Sequence, residues 1–263
     1  MPTFDTPFPV SVRLDVSGGS VRVVASDRAD TVVTVRPGNE RKAADVQAAE
    51  QTRVEYADGR LAVTSPRRAR LLFMGTMPSV DVELLVPANS SLEAALTAGD
   101  VDCEGRLGDV RIDNRYGDLR IDRAARLHAR TSAGDVSVRQ VDEDADAGTS
   151  YGSIRIGTAE GALRLDSACG DITVESALAS VTASTKYGQV SVHRAAGGAL
   201  DLATSYGTVE AGIRENTPAW LDLQSSAGKV RNLLTASVAP DDDEEPVRVR
   251  ARTSYGDIVV RRA

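Results

Sequence analysis

The 263-residue chain is 41% hydrophobic yet holds one Trp and three Phe, so its core has to be built from Val, Leu, Ile and Ala in thin, regular layers. A net charge of -7, with acids spread along the chain, argues against nucleic acid and anionic membrane as partners. The 22 glycines follow no three-residue period, which excludes collagen, and no apolar run approaches the ~18 residues of a membrane span.

In chain order, the start from Met1 to Pro9 lacks the basic-then-apolar pattern of a secretory leader, so the expected location is the cytoplasm. Val10 to Val16 alternates in polarity and ends at Ser17, Gly18 and Gly19, and Val21 to Val23 comes next as the second strand of a degenerate first coil. Thr31 to Val35 is a strand closed by Pro37 and Gly38. Asp45 to Gln51 is the only helix candidate. Asp58 and Gly59 join two strands as a hairpin turn. Arg67, Arg68 and Arg70 read as a solvated turn, and Val80 to Val86 is a strand ended by Pro87. Residues 1–95 are therefore read as an irregular β-rich region that caps the repeats of residues 96–263.

Residues 96–263 are read as regular repeats. A small polar residue, then Ala, Tyr or Cys, then Gly, one variable residue and an aliphatic residue recur nine times. The glycines are Gly99, Gly117, Gly134, Gly152, Gly170, Gly188, Gly207, Gly228 and Gly256, spaced by 18, 17, 18, 18, 18, 19, 21 and 28. Each repeat holds two short segments of period-two alternation, as in Leu127, Ala129 and Thr131, then Val136 and Val138. Such a unit has one apolar face and is unstable alone. Stacked, its backbone bonds to neighbouring coils and like side chains align. The expected fold is an all-β, right-handed β-solenoid with coils of about eighteen residues, the hand set by the crossover rule. The glycines are its structural corners. Small-residue turns are expected at Ala124–Ala125 and Ala195–Gly198. The segment near 240–246, with Asp241 to Glu245 between two prolines, reads as an acidic loop between the last two coils.

The residue before glycine is Tyr at Tyr116, Tyr151, Tyr187, Tyr206 and Tyr255. These five form the one candidate binding stripe, because Tyr joins apolar area to a hydroxyl. A packing role competes: rings are expected to be too thick to stack flat on every coil, with small residues relieving the crowding. The aspartates after the glycines (Asp100, Asp118, Asp135, Asp171, Asp257) read as turn residues. A calcium row is disfavoured because Lys229 interrupts it, and a glycosidase-like pair such as Asp100 with Asp118 lacks the bulky flanking insertions of a groove. Cys103 and Cys169 read as buried thiols, and His128 and His193 point outward too far apart for a metal site. No catalytic residue, metal site or cofactor is assigned.

Phe8 to Val12, Val16 to Val21, Val35 to Pro37, Val82 to Ser90 and the serial Gly-Asp-Val steps together resemble the bacterial DUF4097 family. That resemblance implies an adhesin-like β-helical repeat protein without established catalytic residues. The leading reading is a non-catalytic binding or scaffold protein with an unknown protein or glycan partner. The alternatives are an end-to-end self-assembling protein, hence a homo-oligomer, and a carbohydrate-active β-helix enzyme.

Overall fold

The computed structural model describes residues 2–66, 77–234 and 246–263. The arginine cluster at 67–70 and the acidic run at 241–245 lie outside them. Two compact units result, Met1–Ser132 and Ala133–Ala263, each a β-solenoid of stacked parallel coils.

The first unit runs through β1 (Thr3–Asp5), β2 (Ser11–Gly18), β3 (Val21–Ser26), β4 (Asp30–Pro37) and α1 (Ala43–Gln51). It continues with β5 (Arg53–Ala57), β6 (Arg60–Thr64), β7 (Val80–Pro87), β8 (Ser91–Ala98), β9 (Val101–Asp113) and β10 (Leu119–Ala133). Two columns of strands carry its core. In one, Val12 pairs with Leu61 on one side and Leu92 on the other, Leu92 with Val110, and Val110 with Leu127. In the other, Val21 lies between Val82 and Val101, and Val101 pairs with Leu119. The coil β2–β3, first in the chain, thus sits inside the stack, between β6–β7 and β8–β9. Antiparallel β4 and β1 extend the second column, and β5 closes the first as a hairpin on β6. Asp58 and Gly59 both take positive φ (50° and 73°), as a two-residue hairpin turn requires. The helix α1 rests against β4 and β7. Its Asp45 is buried, accepts the Ser79 N–H at 3.1 Å and pairs with Lys42 at 3.1 Å, so the buried charge is compensated.

Ala124 and Ala125 do not form the expected turn. β9 and β10 run unbroken for 13 and 15 residues, Ala124 is buried within β10, and a register shift between Ile121 and Arg123 supplies the bend. Small side chains let the strand pass the corner without leaving it.

The second unit comprises β11 (Val136–Val141), β12 (Ala145–Tyr151), β13 (Ile154–Ala159), β14 (Leu163–Cys169), β15 (Ile172–Ala177), β16 (Val181–Tyr187) and β17 (Val190–Ala195). Then come β18 (Ala199–Tyr206), β19 (Val209–Ile213), β20 (Ala219–Ala227), β21 (Val230–Asn232), β22 (Val247–Tyr255) and β23 (Ile258–Arg262). One column reads Ala145, Leu163, Val181, Leu200, Val249, Leu221 across successive strands. The other reads Val136, Ile154, Ile172, Val190, Val209, Ile258, Val230. The order in space departs from the order in sequence. β22 lies between β18 and β20, and β23 between β19 and β21. The coil β22–β23, last in the chain, thus sits one place inside the stack, between β18–β19 and β20–β21.

Three rows of residues tie these coils together. Gly152, Gly170, Gly188, Gly207 and Gly256 all take φ between +147° and +152°. A Cβ on any of them would also collide with the carbonyl oxygen of the glycine one coil away, so conformation and space both demand glycine. Three residues before each glycine, a hydroxyl donates to the same carbonyl row: Thr149 to Gly134 at 3.0 Å, Thr185 to Gly170 at 3.0 Å, Thr204 to Gly188 at 2.9 Å and Thr253 to Gly207 at 3.0 Å. These threonines are buried, and each such bond contributes about 0.5–1.5 kcal/mol. After the glycine, an aspartate accepts a backbone N–H from the adjacent coil: Asp135 from Ser153, Asp171 from Gln189 and Asp257 from Lys229, each at 2.8 Å.

Candidate functional site

Strand alternation breaks at the corner before each glycine, and this break builds the site. In β16, Thr185 points inward, while Lys186 and Tyr187 are both exposed. The same holds for Ser150 with Tyr151 and for Ser254 with Tyr255. Once the inward threonine is anchored to the glycine carbonyl and the glycine turns the corner, the intervening tyrosine can only project outward. The register then sets Tyr151, Cys169, Tyr187, Tyr206, Tyr255 and Ala227 side by side on consecutive coils.

Three of these rings form a ladder. Tyr187 and Tyr206 have centroids 5.1 Å apart with planes 8° from parallel, and Tyr206 and Tyr255 are 4.9 Å apart at 4°. The expectation that rings are too thick to stack on every coil is overturned. Strand spacing is about 4.8 Å, which falls within the ordinary centroid range of about 4.5–7 Å for aromatic pairs. The alternation of small and large residues is therefore not forced by crowding. All three rings remain half exposed to water, at 48–56%. Tyr151, at 67%, stands beyond Cys169 and is separated from the ladder by that coil. Tyr116 belongs to the first unit, where its bridge partner is Ala98. The structure thus brings Tyr187, Tyr206 and Tyr255 together, and sets Tyr151 one empty rung away.

The other candidates serve the stack. Asp100 Oδ1 accepts the Asp118 N–H at 2.9 Å, and Arg120 lies 2.7 Å from Asp118 and 4.0 Å from Asp100. These carboxylates sit in a network of backbone and guanidinium groups. His193 Nδ1 meets Glu175 at 2.9 Å, and no third ligating group joins them: among the described residues no group of three His, Cys, Asp or Glu side chains could hold a metal. Burial pushes the Cys103 thiol up to about 12, with Asp102 adding to the effect, so it stays protonated at neutral pH and is a poor nucleophile. Cys169 is only partly buried, unlike the sequence-based expectation, because it occupies the outward corner position. A cavity of about 290 Å³ is lined by Gly198, Ala199, Pro246 and Arg248, where the chain enters the inserted coil. Among the described residues no helix is long and apolar enough to cross a membrane.

The threonine row and the flat stacking are the features that sequence reasoning missed. The first is visible as Thr, Ser or Asn three places before glycine at Asn114, Thr131, Thr149, Ser167, Thr185, Thr204, Ser225 and Thr253.

Thirteen solved chains are structurally similar to this one. One is described as a "putative adhesin" from Bacteroides fragilis, 12% identical, covering 98% of this chain and 96% of its own, with a TM-score of 0.48. A "putative adhesin" from Parabacteroides merdae is 10% identical, covering 98% and 95% at a TM-score of 0.41. A "Putative lipid binding protein" from Parabacteroides distasonis is 10% identical, covering 100% and 96% at 0.34. No curated protein matches the sequence. The profile of one family matches residues 11–261, and on that match the chain belongs to the Toastrack DUF4097 family.

Proposed function

We propose that the protein is a non-catalytic binding protein that recognises a protein or glycan partner along the tyrosine ridge of its second unit. The ladder of Tyr187, Tyr206 and Tyr255 carries this reading. Exposed aromatic rings in a rigid row leave apolar area and hydroxyls unused by the fold, and Tyr is among the residues that dominate recognition surfaces. The row is also pre-ordered by the strands beneath it, so little side-chain entropy is lost on binding.

Tyr206→Ser combined with Tyr255→Ser tests the ridge. On glycan arrays and in adhesion to host or bacterial surfaces, the wild type is expected to bind. The double variant is expected to bind about tenfold more weakly or worse, a loss of about 1.4 kcal/mol, while circular dichroism shows the fold kept and the melting temperature falls only modestly from the loss of two stacked pairs. Equal binding by the two proteins overturns the proposal.

One observation favours a second reading, self-assembly. Among the described residues, β20 pairs only with β22 and β21 only with β23, and Trp220 and Leu233 are about 60% exposed there. An open edge of this kind can pair with another chain. Sedimentation that stays monomeric at every concentration removes it.

A further inference from the structure

The missing rung at Cys169 has a geometry of its own. Tyr187 is stacked on Tyr206 on one face only, and its other face looks over the Cys169 coil toward Tyr151, two coils away. Ladder steps of 4.9 and 5.1 Å put a Tyr151 ring, oriented like the others, about 10 Å from Tyr187. Any group held midway is about 5 Å from both ring centroids, inside the range of about 6 Å at which a cation is attracted by a ring face.

The rim carries charges of both signs, and only one carboxylate lies on the Cys169 coil itself. Asp171 lies two residues beyond Cys169 on the same coil, exposed, and only its Oδ1 takes up the Gln189 N–H. Asp135, one coil beyond Tyr151, is tied to Ser153 and Arg155. Lys186 is the cation beside Tyr187; it is exposed, and its counterparts on the two preceding coils are Ala168 and Ser150. Ring faces present the negative end of their quadrupole. Two ring faces and the Asp171 carboxylate, set against the single flexible and solvated Lys186 ammonium, favour a positive, apolar-skinned group over a thiol floor.

We propose that the notch between Tyr151 and Tyr187, floored by Cys169 and flanked by Asp171, binds a quaternary alkylammonium group of the choline type. This rests on the ridge being a recognition surface and names the chemistry of one position on it. A free cation and a lipid headgroup share that chemistry.

Calorimetric titration with choline chloride tests the notch, with 3,3-dimethylbutan-1-ol as the uncharged isostere. Choline is expected to bind, and the isostere to bind about tenfold more weakly or worse. Cys169→Tyr fills the notch with a ring that continues the ladder, so the fold is kept and choline affinity falls at least about tenfold. Tyr187→Ala is expected to lose binding, and Tyr187→Phe, which keeps the ring face, to retain it. No choline binding by the wild type, equal binding of the isostere, or unchanged binding by Cys169→Tyr overturns the proposal. Co-sedimentation with phosphatidylcholine vesicles, against phosphatidylglycerol vesicles, assigns the group to a headgroup if it is positive and to a soluble ligand if only free choline binds; either stands with the proposal. The Tyr206→Ser, Tyr255→Ser variant leaves both notch walls in place. Loss of choline binding alone therefore rejects the notch, and an unaffected array profile in that variant rejects the ridge.

Discussion

Gly170→Ala is expected to unfold the second unit. At φ +149° the backbone is in a region that L side chains rarely adopt, costing about 1–3 kcal/mol on its own. The added Cβ also runs into the carbonyl oxygen of Gly152. That oxygen cannot yield freely, because the Ser167 hydroxyl donates to it at 3.2 Å and the strands on both sides fix its coil. The two penalties together are expected to exceed about 3 kcal/mol, a large share of the roughly 5–15 kcal/mol typical of a domain. Guanidinium denaturation followed by circular dichroism measures the loss. Two comparisons fix the cause. Gly228→Ala meets the Gly256 carbonyl in the same way, but its φ lies outside the left-handed region and it sits on the outermost described coil, which is half solvated and can give; a smaller loss is expected there. Gly59→Asn, at φ +73° with nothing within 4 Å, is expected to change stability by less than about 0.5 kcal/mol. If all three variants lose stability equally, the column of glycines is not what holds the coils at their spacing.

Removal of residues 246–263 is expected to be far more damaging than the loss of a terminal repeat. In a stack that kept chain order, deleting the last coil would shorten it by one step and leave a new edge. Here β22 and β23 are the layer to which β20 and β21 attach. Val247, Val249, Ile258 and Val260 are fully buried, and burial of four such side chains contributes about 6–12 kcal/mol as an upper estimate. Without them β20 and β21 have no described backbone partner, and β18 and β19 lose one side of their ladder. Hydrogen exchange is expected to show Ala219–Asn232 unprotected and the whole second unit weakened. Retained protection at β20 after the deletion would mean that this coil docks elsewhere.

Much of this fold is legible in the sequence, and the reasons are local. Val136 with Val138 and Leu163 with Leu165 alternate at the strand period, and glycines every eighteen residues mark corners. Asp58 and Gly59 take the turn that their residue types favour, and Asp45 to Gln51 falls within α1. What is legible in each case is a preference that a few neighbouring residues can express. The order of coils is not of that kind. Every coil presents the same ladder of N–H and C=O groups and the same aliphatic inner row, so the pattern cannot say which edge a given coil meets. Nothing in the motif distinguishes the inserted coils, β2–β3 in the first unit and β22–β23 in the second, from their neighbours. The tyrosine ladder escapes a sequence reading for a different reason. Ring thickness alone argues against stacking, but the strand spacing gives each Tyr its own level. The corner threonines look like ordinary inward-facing residues of the alternation, although their fixed place three residues before glycine identifies them as ties to the adjacent coil.

The inserted last coil is tested most directly by paired cysteines in a background with Cys169→Ser. Asp201, Arg250 and Asp222 are side by side in register, with Arg250 in the middle. Asp201→Cys with Arg250→Cys, and Arg250→Cys with Asp222→Cys, are each expected to form a disulfide under mild oxidation, while Asp201→Cys with Asp222→Cys, two strand spacings apart, is expected to form none. A disulfide between positions 201 and 222, with none to position 250, would contradict the account.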